Sequence, residues 1–340
     1  MDDRTMWAVR MHAFGEPEVL VRERVPRPVP GPGEVLVRVH AAGINPPDWY
    51  TRRNFPSIPA ELRPRWALPL IPGSDISGTV AALGPAPDGL PEGSTAGATA
   101  GSAEPRWQVG DRVHGLVNFP GRGAGYAEYA VAPAGHLARL PAELDHLTGA
   151  ALPMAGLTAH QYLAHLRPAP GITALVNGAA GGVGHLAVQL LRAGGADRVI
   201  AVASGRHEEF LRGLGVDRFV DYTATRVEDA VRDVDLLFDT VGGPDAHRLL
   251  PALRRGGRVA PVFFGDYRPA LAAELGLAVE ERTWQVRSDG AGLAALDALV
   301  AAGAVRVAVA GVFPLAEAAA AHRRAEQGHL QGKLVLHVAD

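Results

Sequence analysis

The stretch from Ile172 to Gly195, ITALVNGAAGGVGHLAVQLLRAGG, restricts how this chain can fold more than any other. It opens with an apolar run, Ile172 to Val176, of the kind that forms a strand buried on both faces. A glycine-rich turn follows, Asn177 to Gly184. His185 to Ala193 then carries Leu186, Leu190 and Ala193 at helical spacing, and Gly194-Gly195 stops the helix. Strand, glycine turn and helix form the first βα unit of a dinucleotide-binding fold. Small residues let the backbone approach a pyrophosphate, and the helix N-terminus offers free N–H groups. The G-x-G-x-x-G pattern appears with alanine in its first place, as Ala179, Gly181 and Gly184.

Glycines can also close a strand-to-helix turn with no ligand, but the chain downstream argues against so plain a role. Arg198 to Ala203, Arg218 to Tyr222, Asp235 to Thr240 and Gly257 to Phe263 read as further strands separated by helical segments. Alternation of this kind predicts a parallel, doubly wound sheet of the Rossmann type.

With 340 residues the chain should hold two domains. Its formal net charge is −3 with no basic block, so nucleic acid and an anionic membrane are not expected partners. It contains no cysteine, which excludes disulfides, a thiolate zinc site and a cysteine nucleophile. Met1-Asp2-Asp3-Arg4 has no apolar signal core, and no apolar run approaches membrane-spanning length, so a cytoplasmic protein is expected. Lysine occurs once, at Lys333.

The first 145 residues have another texture: short strands, frequent proline and little helix. Met6 to Met11, Glu34 to Ala41, Gly78 to Leu83, Gly110 to Val117 and Gly125 to Val131 suit strands of a compact, barrel-like β domain. Tyr50 to Pro72 is more apolar than a connector needs to be and is expected to wall a pocket. Pro85 to Arg106 is rich in Gly, Ala, Pro, Thr and Ser without periodicity, which predicts a mobile segment. Leu144 to Leu166 reads as helical, Leu277 to Val286 as a strand, and Ala291 to Ala302 and Leu315 to Glu326 as helices. Lys333 to Val338 is expected to return as a strand to the β domain.

Laid out in this order, the chain resembles the medium-chain dehydrogenase/reductase superfamily, and within it the zinc-independent quinone oxidoreductase branch. The likeness rests on Ala41-Ala42-Gly43-Ile44-Asn45-Pro46-Pro47-Asp48, Pro72 to Gly78, Val109-Gly110-Asp111-Arg112-Val113 and Gly125 to Tyr129. It continues in Ala150 to Pro153 with Gly156 to Ala159, Gly178 to Gly184, and Gly332 to Leu336. Seven short matches in the right order make a specific signal. The resemblance implies a GroES-like β domain over 1–145, completed by 311–340, and a Rossmann NADP-binding domain over 146–310. It also implies a homodimer.

The resemblance places functions on matching positions. Asn45 stands where zinc-dependent relatives carry a cysteine ligand, and Ser74-Asp75 where they carry His-Glu. The thirteen histidines show no His-x-x-x-His pair, and His160 and His165 lie five apart, so no metal is expected. No carboxylate ends the strand at Val202-Ala203; Ser204 could donate to a 2′-phosphate and Arg206 pair with it, which favours NADPH over NADH. Tyr222 matches a family tyrosine beside that phosphate, although it also reads as a packed strand-end aromatic, and Arg206 as a solvated arginine. Family positions further imply cofactor contacts at Asn45, Thr158, Ala180, Gly181, Gly182, Val183, Thr240, Val241, Phe263 and Lys333. Lys333 reads equally as a surface charge.

Hydride transfer asks little of side chains beyond placement in a dry cleft. Asn45 is a candidate to hold the nicotinamide or a substrate carbonyl, and Tyr50 to donate to a developing oxyanion or enolate. Arg52 matches a family arginine but reads as a solvated charge. Trp49, Phe55, Trp66, Tyr126, Phe263 and Trp284 should line a wall suited to a flat, conjugated small molecule. Three functions stay open. The first is an NADPH-dependent reductase of quinones or activated C=C bonds. The second is an enoyl-thioester reductase of polyketide or fatty-acyl synthesis, its entry served by Arg52, Arg53, Arg63 and Arg65. The third is an NADPH-binding protein without turnover.

Overall fold

The computed structural model describes residues 4–56, 61, 63–85, 107–280 and 285–339. The chain opens with an antiparallel ribbon, β1 (Thr5–Met11) and β2 (Leu20–Pro26). β3 (Glu34–Gly43) leads through helix α1 (Pro46–Arg52) to β4 (Asp75–Leu83), β5 (Arg112–Leu116), β6 (Tyr129–Pro133) and β7 (Leu137–Arg139). Helices α2 (His146–Ala151) and α3 (Pro153–Leu166) precede β8 (Thr173–Asn177), α4 (Gly184–Ala193), β9 (Arg198–Ala203), α5 (Glu208–Arg212) and β10 (Arg218–Asp221). Then come α6 (Val227–Ala230), β11 (Val234–Asp239), β12 (Leu253–Pro261), α7 (Pro269–Glu274) and β13 (Ala278–Val279). The chain ends with α8 (Gly290–Ala301), β14 (Val309–Pro314), α9 (Ala318–Glu326) and β15 (Lys333–His337).

The glycine turn sits at the centre of a six-stranded parallel sheet of order β10-β9-β8-β11-β12-β13. Its strands are apolar without alternation because both faces are covered. Leu175 points into one apolar cluster with Ile200, Leu237 and Val259, while Ala174 and Val176 point into the other with Leu186 and Leu190. From β8 the chain builds outward to β10, then crosses back to β11 on the opposite side of β8. That reversal opens a crevice at the carboxyl ends of β8 and β11, the usual place for a ligand in such a sheet.

The second sheet has the order β14-β15-β3-β4-β5-β7, with β6 also paired to β3. The expected return of the C-terminus is present: β15 pairs antiparallel with β3, Val335 opposite Gly43. The architecture is thus a GroES-like β domain joined to a Rossmann-type sheet. Leu144 to Leu166 is helical as expected, in two helices, since Pro153 lacks the N–H a continuous helix would require and starts the second. Three local readings need correction. The strand expected at Gly125 to Val131 runs instead from Tyr129 to Pro133. The strand expected at Leu277 to Val286 is confined to Ala278–Val279 among the described residues. β2, β7 and β14 were not foreseen; β2 is mostly exposed and β7 is three residues long, so neither shows a readable apolar period. Residues 86–106, with most of the segment expected to be mobile, lie outside the described residues, as does Trp284.

Candidate active site

The site begins with backbone geometry. Gly178 and Ala179 both donate to Val202 O, and Gly181 N donates to Gly178 O at 3.0 Å, which folds the turn against β9. A Cβ on Gly184 would overlap Gly178 O and lie 2.8 Å from Ala179 Cα, so α4 can start there only with glycine. Gly181 differs: a Cβ there would meet nothing closer than 3.4 Å. The space above Gly181 is a cradle open to a ligand. Across the crevice, buried Asp239 shapes the facing turn. Its Oδ1 accepts from Asn177 Nδ2 at 2.9 Å and from the N–H groups of Val241 and Gly242; its Oδ2 accepts from Tyr267 OH at 2.8 Å. Sequence reasoning saw Asp239 only as a strand residue; its role depends on β8 and β11 being neighbours.

A cavity of about 720 Å³ runs along this crevice. Ala180, Gly181, Ser204, Tyr222, Thr240 and Val241 line it from the parallel sheet. At the other end Tyr50 of α1 stacks on Phe263, which follows β12, with ring centroids 5.9 Å apart. Among the other aromatics expected in the wall, Trp49, Phe55, Trp66 and Tyr126 do not line this cavity. Tyr126 is fully buried; its hydroxyl donates to Asp48 Oδ2 and meets His322 Nε2, each at 3.1 Å. Burial raises the Tyr50 phenol above its ordinary pKa, with a further push from the Glu326 carboxylate, so it stays protonated at neutral pH.

Arg206 is exposed and turns its Nε to Ser204 Oγ at 3.2 Å. Tyr222 is 49 % exposed and faces the cavity, so it is not the packed aromatic that its strand position allowed. No carboxylate ends β9, but Asp221 at the end of β10 lies beneath Gly205, close to where a Cβ would stand. Its carboxylate accepts from Thr223 N and Oγ1, and these bonds hold its pKa below the usual range. Sequence reasoning missed Asp221, and also His207 and His329, which line the same end of the cavity.

Asn45, Thr158 and Lys333 stand behind the cavity wall. Thr158 is buried on α3 and donates to Met154 O at 2.6 Å. Lys333 is 4 % exposed, which removes the surface-charge reading. Gly182 and Val183 complete the turn, and the stem of Lys333 passes over Gly182. Asn45 is enclosed by Asp75 and Lys333. Asp48 accepts from Asn45 N at 2.8 Å, and burial pushes its carboxyl up to about 7. Arg52 corrects a second reading: it is fully buried, not solvated, and pairs with Glu326 at 2.7 Å. Among the described residues no group of three or more His, Asp or Glu is placed to hold a metal ion. No helix among them is long and apolar enough to cross a membrane.

Comparison with known proteins agrees with this geometry. Residues 31–142 match the alcohol dehydrogenase GroES-like domain, and residues 214–336 a zinc-binding dehydrogenase domain. The mouse quinone oxidoreductase is 30 % identical, with 98 % of each chain covered. The chain belongs to the quinone oxidoreductase family of medium-chain dehydrogenases/reductases. Another member, the chloroplastic NADPH-dependent alkenal/one oxidoreductase of Arabidopsis thaliana, is 31 % identical over 89 % of this chain and 72 % of its own. Among solved structures, the quinone oxidoreductase of Coxiella burnetii superposes with a TM-score of 0.84 at 32 % identity, covering 98 % of this chain and 99 % of that one. For a quinone oxidoreductase-family chain, the crevice between the two sheets is the active-site candidate.

Proposed function

We propose that this protein is an NADPH-dependent reductase of quinones or of activated C=C bonds in small enones and 2-alkenals, working without a metal. The observation that carries this reading is one continuous cavity that joins the glycine turn and Ser204–Tyr222 to the Tyr50–Phe263 stack. Its residues fit a dinucleotide: the open cradle above Gly181 suits a pyrophosphate, and Ser204, Arg206 and Tyr222 suit a 2′-phosphate. NADPH, when bound, supplies a hydride to an electron-poor carbon. Tyr50 holds a proton at its phenol oxygen, at the mouth of the same cavity, for the oxygen on which negative charge develops. Phe263 and Tyr50 present flat apolar faces and exclude water. The names of the relatives, quinone oxidoreductase and NADPH-dependent alkenal/one oxidoreductase, point the same way.

The zinc-ligand positions support the metal-free part of the reading. Asn45 and Asp75 are bonded to each other, with the ammonium of Lys333 beside them, and a resident cation is poor company for a metal ion. The enoyl-thioester alternative loses support, because two of the arginines expected at its entry are committed elsewhere. Arg52 is buried on Glu326, and Arg53 pairs with Glu16 and Glu326.

The test is NADPH oxidation against quinones, 2-alkenals, enoyl thioesters and simple alcohols. Quinones and enones should turn over, chelators should have no effect, and Arg206→Ala should weaken NADPH binding by about 1.5–3 kcal/mol while sparing NADH. Tyr50→Phe should lower kcat for enones by about 10-fold and matter less for quinones, whose reduced oxygen can take its proton from water. Equal kcat/KM for NADPH and NADH, or oxidation of simple alcohols with conjugated acceptors ignored, would sink the proposal.

A further inference from the structure

The glycine turn is held from behind by a histidine that does not line the cavity. His185 stands in the first turn of α4 and is fully buried. Two contacts fix its ring: Nδ1 lies 2.9 Å from Gly181 O, and Ala308 N donates to Nε2 at 3.1 Å. A backbone N–H can only donate, so Nε2 must accept, and the ring proton sits on Nδ1, which donates it to Gly181 O. Burial pushes the pKa of the ring down to about 4, so it stays uncharged at neutral pH. Gly181 O accepts a second bond from the same residue, His185 N at 3.1 Å.

Ala308 sets this contact in a wider frame. Gln189, one turn further along α4, closes its amide on Arg306: Oε1 accepts from Arg306 N at 2.7 Å, and Nε2 donates to Arg306 O at 2.9 Å. Residues 306–308 carry the chain from α8 to β14 of the second sheet, so one face of α4 grips that crossing. The circuit then returns to the turn. Lys333 N donates to Ala308 O, and Gly332 N to Ala180 O, each at 2.9 Å. Two consecutive carbonyls of the turn, those of Ala180 and Gly181, are thereby tied to protein donors. A carbonyl oxygen has two lone pairs, and at Gly181 both are spent on His185. Gly181 lines the cavity, and a Cβ there would meet nothing closer than 3.4 Å. A pyrophosphate seated above it thus meets a residue whose acceptor is already taken. A loose carbonyl in that place would set its lone pairs against phosphate oxygens.

We propose that His185 is a positioning residue for the dinucleotide's pyrophosphate: its Nδ1–H holds the Gly181 carbonyl against α4 and so keeps the cradle free of an open acceptor. It acts through Gly181 and touches neither the dinucleotide nor the substrate. The bond from Ala308 decides which ring nitrogen carries the proton. The inference rests on the dinucleotide site of the reductase reading above.

Two substitutions separate the two ring contacts. His185→Asn sets an amide N–H near the place of Nδ1 and cannot reach Ala308. His185→Gln sets an amide oxygen near the place of Nε2 and leaves Gly181 O without its side-chain donor. NADPH affinity, read by fluorescence titration, should fall about 10-fold in His185→Gln and less than about 3-fold in His185→Asn. Adenosine 2′-phosphate, which would occupy only the Ser204–Tyr222 end, should bind both variants as it binds wild type. Equal losses of NADPH affinity in the two variants, an unweakened His185→Gln, or a parallel loss of adenosine 2′-phosphate would overturn the proposal. A readout without cofactor comes from the ring itself. Protein carrying histidine 15N-labelled at both ring nitrogens should show, at pH 7, a ring protonated at Nδ1 and bare at Nε2, whose signals are lost in either variant. If the lost signals belong to an Nε2–H or a doubly protonated ring, the proposal falls. A wild type that binds no NADPH would instead count against the reductase reading, and the tautomer would still decide whether His185 holds Gly181.

Discussion

At the scale of single residues, burial reverses what several side chains mean in sequence. Arg52 follows Tyr50-Thr51 in what reads as a polar helix end, yet it is fully buried because α9 lays Glu326 beside it. Removing one partner of such a pair leaves the other's charge poorly compensated. Arg52→Met should lower unfolding free energy by about 3 kcal/mol in urea titrations, since Arg53 retains only part of the contact to Glu326. A change within about 0.5 kcal/mol would show that the pair is stabilising nothing. Asp48 carries a pH prediction. Its folded pKa is raised to about 7 from 3.8, chiefly by burial, so its contribution is fully favourable below about pH 4 and is lost as pH rises through 7. Asp48→Asn keeps an oxygen to accept from Asn45 N and Tyr126 OH but cannot ionise. The stability of this variant relative to wild type should therefore increase between about pH 4 and 7 and level off above it, measured by thermal melts. A constant difference across that range would refute the assignment.

At the scale of elements, the strand–turn–helix unit separates two jobs that its glycines share in sequence. Gly184 is needed for α4 to leave the turn, because its Cβ would strike Gly178 O and Ala179 Cα. Gly181 has room, and φ there is not positive. Gly184→Ala should thus cost stability, on the order of 2 kcal/mol or more. Gly181→Ala should melt within a degree or two of wild type and still lose most of its dinucleotide affinity, because the new methyl fills the cradle. Calorimetric melts alongside NADPH titrations distinguish the two; equal destabilisation by both would mean that the cradle is packed protein and not a ligand site.

At the scale of the whole molecule, the β domain and the Rossmann-type part are tied at separate places. Gly332 N donates to Ala180 O and the stem of Lys333 lies on Gly182, while His114 of β5 meets Asp297 of α8 at 2.9 Å. A dinucleotide seated along the cavity would add a further link. NADPH at 100 times its Kd should add about 2.7 kcal/mol to stability and raise Tm accordingly, while NADH at the same concentration should add less. Matching shifts for the two would remove the 2′-phosphate from the account of Ser204, Arg206 and Tyr222.

Much of this protein was legible in its amino-acid order, for a physical reason. The run at Leu175 is uninterruptedly apolar because both faces of a central parallel strand are dry, and the glycines after it mark a backbone that must come close to something. Local periodicity reports local burial, so the Rossmann strands, α4 and the β-domain strand β3 could be read directly. What the chain order could not reveal is which distant residues share an interior. Asn45, Asp75 and Lys333 are separated by 30 and 258 positions and meet only because β15 pairs with β3 and β3 with β4. Asp239 becomes the organiser of a turn only because β11 lies beside β8. A charged side chain looks the same in sequence whether it faces water or an opposite charge in the core. The tertiary fold alone decided that Arg52, Asp48 and Lys333 would be buried, because burial of a charge depends on partners brought from elsewhere in the chain.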